Sequence, residues 1–145
     1  MEELNWQEIS KYHNLSESFI EKHHNKVYWD LICKYQSLTV SFIEKYHNKV
    51  YWDLICKYQV LSEEFIEKHE HNIVWEDISR YQILSEPFIE KHKEKFNWVS
   101  ILTHQILSED FIEKHKNYIN WEKMIKEFED DDGLHHMFIK EMKLI

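Results

Sequence analysis

The sequence predicts an all-α fold, an α-solenoid of stacked two-helix repeats of constant length. Composition is the first observation behind this prediction. The 145 residues include one glycine and one proline, whereas an average chain of this length carries roughly ten and seven. Because hairpins and tight turns depend on these residues, all-β and α/β architectures are disfavoured. With 43 % hydrophobic and 31 % charged residues, the chain is typical of a folded globular protein.

Internal periodicity is the second observation. The six tryptophans recur at a constant step of twenty-three positions, at Trp6, Trp29, Trp52, Trp75, Trp98 and Trp121. A leucine follows each of the first five by nine positions, and a Phe-Ile pair follows by thirteen. Residues 18–36 and 41–59 differ only at His23 versus Tyr46, which indicates a recent or an engineered duplication. A fixed period of this length is the signature of a repeat array.

We expect one repeat domain over residues 1–145. It comprises five full units from Trp6 to Asn120 and a lengthened C-terminal capping unit over residues 121–145. In this last unit the leucine and the Phe-Ile pair arrive four positions late, at Leu134 to Ile139. The inserted residues are acidic and include the only glycine, so we interpret them as a loop before a capping helix.

Helix-capping residues are the third observation, and they predict two short helices in each unit. One helix begins after a good N-cap residue, namely Ser16, Thr39, Ser62, Ser85 or Ser108. We expect it to end near an asparagine that tolerates the left-handed conformation, namely Asn25, Asn48, Asn72 or Asn117. The other helix begins at each tryptophan, with Asn5, Asn97 and Asn120 as candidate caps.

Stacking is what makes such short helices stable. A helix of about eight residues is marginal alone because nucleation is costly, and one unit cannot bury its own apolar side chains. Stacked look-alike units solve both problems. We therefore predict that the six tryptophans are the structural core of the repeat and lie largely buried between units.

Histidines recur in register, at His23, His69, His92 and His115, with Tyr46 in their place in one unit. Equivalent residues of stacked units lie about 10 Å apart, whereas zinc ligand atoms sit about 2.1 Å from one ion. We therefore interpret these positions as structural and hydrogen-bonded. His135 and His136, beside Asp130–Asp132, match no zinc motif, and we interpret them as part of a solvated loop and cap. We expect no metal and no other cofactor.

The two cysteines, Cys33 and Cys56, occupy the register that Ser10 and Ser79 hold elsewhere. Stacking would place their Cα atoms about 10 Å apart, beyond the ~7 Å limit for a disulfide, so we interpret them as small packing residues. The chain contains no glycine-rich phosphate loop, no dinucleotide fingerprint and no Ser-His-Asp pattern. We therefore expect no catalytic residues and no enzyme.

The distribution of charge limits the classes of partner that the sequence predicts. The net charge is −9, and no unit is strongly basic, which disfavours direct nucleic-acid binding. The recurring Glu-Lys dipeptides, such as Glu21-Lys22, indicate a solvated face, because adjacent residues on a helix do not meet.

Nothing in the sequence predicts a membrane partner. No apolar run approaches the ~18 residues that span a membrane, and the acidic N-terminus lacks the pattern of a signal peptide. We expect a cytoplasmic protein, in the host cytoplasm if it is viral.

Positions that vary among the units are candidates for partner contact. Leu31 and Leu54 stand where other units carry polar or charged residues, and Val40 stands where other units carry an acid. On this basis we expect Leu31, Val40 and Leu54 to be exposed apolar residues on neighbouring units, which often mark a protein-binding surface. Drift after duplication explains the same residues equally well.

The unit from Leu61 to Gln82 reads Leu-Ser-Glu-x-Phe-Ile-Glu-Lys-His, followed by Trp-x-x-Ile-Ser-x-Tyr-Gln. This pattern resembles short tandem repeats of uncharacterised giant-virus and phage proteins, over nearly the whole chain. It is more loosely similar to tetratricopeptide and Sel-type helical repeats, whose common role is protein binding, although their small-residue pattern is missing here. The first resemblance implies a helical repeat and carries no catalytic residue.

Three functional hypotheses follow. The first is a non-enzymatic protein-interaction scaffold whose partner is another protein, and the resemblance implies a viral or phage origin for it. The second is an acidic mimic of nucleic acid that inhibits a host nucleic-acid-binding or defence enzyme, which a net charge of −9 permits. The third is a designed or purely structural repeat array without a ligand.

Overall fold

The computed structural model describes residues 4–127. In that range every regular element is helical, with eleven α-helices, one 3₁₀ turn and no strand. The predicted fold class is confirmed, because two kinds of short helix alternate along the chain as a repeat array. The sequence interpretations of Asp130–Asp132, His135, His136 and the late Leu134–Ile139 pattern lie outside the described residues.

Each repeat contributes one helix that begins at the tryptophan and one that carries the Phe-Ile pair. The tryptophan helices are α1 (Trp6–Tyr12), α3 (Trp29–Tyr35), α5 (Trp52–Tyr58), α7 (Trp75–Tyr81), α9 (Trp98–His104) and α11 (Trp121–Glu127). The Phe-Ile helices are α2 (Glu17–Lys22), α4 (Val40–Lys45), α6 (Glu63–Lys68), α8 (Glu86–Lys91) and α10 (Glu109–Lys114). The 3₁₀ turn, Lys116–Tyr118, follows α10.

The chain divides into two compact units, Met1–Gln82 and Ile83–Ile145. In the first unit the tryptophan helices pack side by side in chain order, α1 on α3, α3 on α5 and α5 on α7. In the second unit the 3₁₀ turn packs against α10. None of the helices in the described range is long and apolar enough to cross a bilayer.

Capping explains where the helices begin. The predicted serine and threonine caps are confirmed, since each hydroxyl accepts a hydrogen bond from the backbone N–H of the phenylalanine three positions later, at 3.2–3.3 Å. The asparagine caps of α1, α9 and α11 also accept backbone N–H groups of the first turn. The prediction that this helix ends near Asn25 or its equivalents is wrong, because the helix ends earlier in the sequence. The helix ends at Lys22, where the next residue has a negative φ of −115° and a turn follows.

Isoleucines form the most enclosed part of the core. Eight of them are 0 % exposed, namely Ile20, Ile32, Ile43, Ile55, Ile66, Ile78, Ile89 and Ile101. Of the tryptophans, Trp98 is buried, whereas Trp6, Trp29, Trp52, Trp75 and Trp121 are half-buried, so the predicted burial is complete only at Trp98. The β-branched isoleucines therefore fill the interior, and the indoles close it from the side.

The indoles of Trp29 and Trp52 each join two Phe-Ile segments. Trp29 donates its Nε1 hydrogen to the backbone oxygen of His24 before it, at 2.9 Å. The same ring contacts Phe42 and Tyr46 of the following segment, with centroids 6.2 and 5.1 Å away. Trp52 repeats both contacts one unit later. Tryptophan therefore fixes the spacing between successive Phe-Ile helices as well as covering apolar surface.

A ladder of buried glutamines ties each repeat of the first unit to the one before it. Gln59 donates from Nε2 to the backbone oxygens of Cys33 and Gln36, both at 2.8 Å. Its Oε1 accepts the backbone N–H of Leu38 at 3.0 Å. Gln36 and Gln82 make the same three bonds to their preceding repeats. One side-chain amide thus forms hydrogen bonds with three backbone groups, one N–H and two carbonyl oxygens, in the connection between two helices. These backbone groups would otherwise be unpaired.

Candidate interaction surface

A line of tyrosines marks the outer side of the first unit. Each tryptophan helix there ends on a tyrosine, and the extended residue that follows α3, α5 and α7 is a glutamine of the buried ladder. These tyrosines are exposed, with exposed fractions of 44–71 %. They are Tyr12, Tyr35, Tyr58 and Tyr81. We call these four residues the tyrosine row. Exposed tyrosines offer a large, rigid contact area that can also form hydrogen bonds.

Basic side chains alternate with the tyrosines. Lys11 Nζ lies 4.7 Å from the Tyr12 ring centroid and 5.6 Å from that of Tyr35. Lys34 Nζ lies 5.2 Å from the Tyr35 centroid and 5.3 Å from that of Tyr58. The hydrogen bond to Tyr35 raises the pKa of Lys34 above its ordinary value. Each of these lysines therefore connects two neighbouring rings through cation–π contacts.

The charge along the row changes from one repeat to the next. Lys57 lies 3.6 Å from a carboxylate oxygen of Asp77, and Arg80 lies 3.7 Å from one of Glu76. Among residues 4–127, no carboxylate lies within ion-pair distance of Lys11 or Lys34. Uncompensated positive charge is therefore concentrated in the first two repeats of the row.

Apolar side chains protrude from the loop beyond the row. Val60, two positions after Tyr58, is 97 % exposed. The same register position holds the polar residues Asn14 and Ser37 in the two preceding repeats. In the second compact unit the corresponding residues, Ile83 and Ile106, are 95 % and 99 % exposed. Sequence reasoning missed these residues, although their shared position eight places after a tryptophan is a readable signal.

The residues expected from sequence to contact a partner lie on two different surfaces. Leu31 and Leu54 are half-buried, so their exposure is only partial, whereas Val40 is exposed. Leu31 lies between Tyr28 and Tyr35 at a spacing of three and four positions, so all three share one face of α3. The duplicate α5 repeats this spacing with Tyr51, Leu54 and Tyr58.

Val40 belongs to a separate cleft on the Phe-Ile side. The cleft has a volume of about 250 Å³ and lies between α4 and α6. Glu44, Phe65 and Lys68 also line it. Glu44 and Lys68 form an ion pair with each other at 2.8 Å.

A second pair of tyrosines lies at the opposite end of α3 and α5. Tyr28 and Tyr51 are half in solvent and line a shallow cavity of about 420 Å³ with Asp30 and Lys49. They precede their tryptophans, so about 10 Å of helix separates each from the tyrosine at the far end. This pair matches Tyr35 and Tyr58 in residue type, exposure and repeat.

The recurring histidines have contacts that account for them structurally. His69 Nε2 lies 3.0 Å from Glu44 Oε1 of the preceding repeat, and its ring centroid lies 4.4 Å from that of Phe65 and 5.3 Å from that of Trp52. His115 is buried and contacts Glu90 in the same way. Within residues 4–127, no three His, Cys, Asp or Glu side chains are placed to hold a metal ion.

Glutamates of the Phe-Ile helices form ion pairs between repeats. Glu21 pairs with Lys45, Glu44 with Lys68, and Glu90 with Lys114. The two members of a Glu-Lys dipeptide such as Glu21-Lys22 point apart, as expected for adjacent residues on a helix. The stacking of equivalent helices instead brings each glutamate to the lysine of the following repeat, a sequence separation of 24. This face is therefore solvated and also linked from repeat to repeat.

These ion pairs predict acid-sensitive stability. The hydrogen bond from Lys114 holds the pKa of Glu90 at about 2, below its ordinary value of 4.5. A lowered carboxyl pKa stabilises the fold above pH 4.5, and this contribution is lost as the pH falls toward 2. We expect Glu90→Gln to lower the melting temperature at pH 7 and to flatten its decline between these pH values.

Thermal unfolding by circular dichroism across that pH range measures the effect. Glu113→Gln is the matched control, because Glu113 holds the same register, is exposed, and lies 4.0 Å from Lys116 of its own repeat. An equal flattening of the pH profile by both substitutions would contradict the assignment.

The cysteines are buried and free, as their interpretation as packing residues requires. Cys33 Sγ accepts the backbone N–H of Tyr51 at 3.5 Å, and Ser10 Oγ accepts that of Tyr28 at 3.0 Å. Burial raises the pKa of both thiols to about 11. A thiol that stays protonated at neutral pH is a poor nucleophile, so these residues serve the packing.

Buried polar side chains in residues 4–127 thus have structural partners, whereas the tyrosine row is a repeated surface of the first unit that is open to solvent. Comparisons of the chain with protein-family models, with curated proteins and with solved structures found no match. The arrangement of its own residues is therefore the basis for a functional proposal.

Proposed function

We propose that this chain is a non-enzymatic protein-interaction scaffold that binds a protein partner along the tyrosine row. The observation that carries the proposal is the presence of one exposed tyrosine, with one adjacent basic residue, in each of four successive repeats. Tyrosine and arginine are enriched among residues that dominate binding energy at interfaces. A row of such residues on stacked helices presents them at a regular spacing.

The charge of the row favours this hypothesis over an acidic mimic of nucleic acid. The residues that directly precede the four tyrosines are Lys11, Lys34, Lys57 and Arg80, and all four are basic. A nucleic-acid mimic needs carboxylates spaced like phosphates on its binding surface. Several acidic residues of the stack form ion pairs between repeats on other helix faces, as Glu44 does with Lys68.

Rigid stacking supports a binding role as well. The glutamine ladder and the fully buried isoleucines fix each repeat on its neighbour. A backbone held in this way loses little further conformational entropy when a partner binds. Other helical repeat arrays use frames of this kind as extended binding surfaces.

The test is a quantitative pull-down from the source or host cell with three forms of the chain. Tyr35→Ser/Tyr58→Ser removes the centre of the row, and Tyr28→Ser/Tyr51→Ser removes the matched tyrosines at the other helix ends. We expect specific proteins to be retained by wild type and by the Tyr28/Tyr51 variant, and lost by the Tyr35/Tyr58 variant. Equal recovery of the same proteins by all three forms would overturn the proposal.

A further inference from the structure

The tyrosine row has a spacing that matches one kind of peptide. We propose that it binds a proline-rich segment in the polyproline II conformation, with acidic residues at the end that lies over Lys11 and Lys34. This inference rests on the proposed function and names the chemistry of its partner. Spacing, ring chemistry and charge support it independently.

Spacing is the first argument. Lys34 Nζ is 5.2 Å from the Tyr35 centroid and 5.3 Å from that of Tyr58, so the sum of these distances is an upper limit on the separation of the two ring centres. The contacts of Lys11 set a similar upper limit between Tyr12 and Tyr35. Both limits lie just above the ~8–10 Å that separates packed helix axes, which is the spacing expected of neighbouring repeats.

A polyproline II helix has three residues per turn and rises ~3.1 Å per residue, so one turn spans ~9.3 Å. One turn of the ligand therefore corresponds to one repeat of the array, and every third residue meets the next tyrosine. A strand, whose same-face side chains recur every ~6.8 Å, does not keep this register. In an α-helical ligand, residues i and i+7 share one face and lie ~10.5 Å apart, which is at the upper limit and outside the ~8–10 Å expected of neighbouring repeats, so the pitch of polyproline II fits better.

Ring chemistry is the second argument. Proline rings pack flat against aromatic side chains, which is how aromatic-lined surfaces recognise proline-rich segments. The backbone of polyproline II forms no internal hydrogen bonds, so its carbonyl oxygens are available to donors. The hydroxyl of Tyr35 and the ammonium group of Lys34 are such donors, and both side chains are accessible to solvent.

Charge complementarity is the third argument, and it gives the ligand a direction. Lys11 and Lys34 contact tyrosine rings without a carboxylate partner in the described part of the chain, whereas Lys57 is paired with Asp77. Val60 adds an exposed apolar side chain at the Lys57 end. Acidic residues of the ligand therefore lie over the first two repeats, and apolar residues lie over the third.

The experiment measures fluorescence anisotropy with labelled synthetic peptides. The probe has two aspartates followed by four Pro-Pro-Ala units. One comparison peptide replaces the prolines and alanines by a Gly-Ser sequence, and a second replaces the aspartates by lysines. Each peptide is titrated with wild-type protein, with Tyr35→Ser/Tyr58→Ser and with the control Tyr28→Ser/Tyr51→Ser. Circular dichroism verifies that the variants are folded.

We expect the proline probe to bind wild type and the Tyr28/Tyr51 control alike, and to bind the Tyr35/Tyr58 variant about tenfold more weakly. The Gly-Ser peptide should bind wild type about tenfold more weakly than the probe, because it lacks the preformed helix. The lysine peptide should also bind wild type more weakly than the probe does. Added salt should reduce this difference in affinity, because it screens the charges.

Equal affinity of the proline and Gly-Ser peptides, or equal affinity of wild type and the Tyr35/Tyr58 variant for the probe, would overturn this inference. The pull-down then separates the two proposals. Tyrosine-dependent recovery of a protein without proline-probe binding would leave the scaffold function standing with a different ligand class. Recovery independent of Tyr35 and Tyr58 would remove both.

Discussion

Replacing Gln59 with alanine is expected to destabilise the fold by about 3–5 kcal/mol, because one change removes three hydrogen bonds between repeats. The Leu38 N–H loses its acceptor, and the backbone oxygens of Cys33 and Gln36 lose their donor. Each buried group left unpaired costs about 1–3 kcal/mol, less where water can enter. A typical domain has only ~5–15 kcal/mol of stability, so the loss is large.

Urea unfolding monitored by circular dichroism gives the free energy, and amide hydrogen exchange locates the damage. In Gln59→Ala the amide of Leu38 should exchange much faster, whereas that of Leu15, which Gln36 holds, should keep its protection. His13→Ala is the matched control, since His13 occupies the same register in the first repeat and is exposed. A stability loss no larger than that of His13→Ala would contradict the role of the ladder.

Gln59→Glu separates hydrogen bonding from side-chain size. A carboxylate can still accept from the Leu38 N–H, but it cannot donate and it repels the two carbonyl oxygens. The variant should therefore be destabilised at neutral pH and should recover part of its stability under mildly acidic conditions. Protonation restores one donor, so recovery as the pH falls is opposite in sign to the acid sensitivity expected from Glu90.

The glutamine ladder also shows where sequence reasoning stops. The period and the helix caps predict the repeat array and the starts of its helices, because both signals are local. Gln36 is recognisable as a member of the inward face of α3, but its partners lie 21 to 26 residues earlier along the chain. Only the stacking geometry reveals that a polar residue in an apolar register serves the connection of the preceding repeat.

The surface was harder to predict than the core. Leu31 and Leu54 differ from their register equivalents, and that difference draws attention to α3 and α5. Their side chains are half-buried, however, and the tyrosines beside them reach solvent. Tyr35 and Tyr58 have a counterpart in every repeat of the first unit, so a search for variable positions passes over them. Recurrence in a repeat array is compatible with a core role and with a repeated binding surface.

Replacing Trp98 with alanine is expected to destabilise the protein by about 3–5 kcal/mol, the range typical of buried aromatic side chains. Trp98 is 6 % exposed and donates its Nε1 hydrogen to the backbone oxygen of Lys93 at 3.1 Å. Its ring packs on Phe111, His115 and Tyr118, with centroids 5.1–6.3 Å away. Urea unfolding of the variant gives the loss directly.

Trp52→Ala is the in-chain comparison, and its loss should be smaller because Trp52 is half-buried. The difference has a local cause. Tyr118 covers the outer side of Trp98 and is held by a 3.1 Å hydrogen bond to Glu94. The residue at the same register after Trp52 is Asn72, which is exposed and carries no ring to cover the indole.

Tyr118→Ala should therefore reduce the effect of the Trp98 substitution, because part of that effect is the loss of contact between the two rings. A double-mutant cycle measures this coupling. Additive losses for Trp98→Ala and Tyr118→Ala would show that the tyrosine does not stabilise the indole. A loss for Trp98→Ala no larger than for Trp52→Ala would mean that the energy of the tryptophan position comes from its hydrogen bond to the preceding turn, which both indoles make.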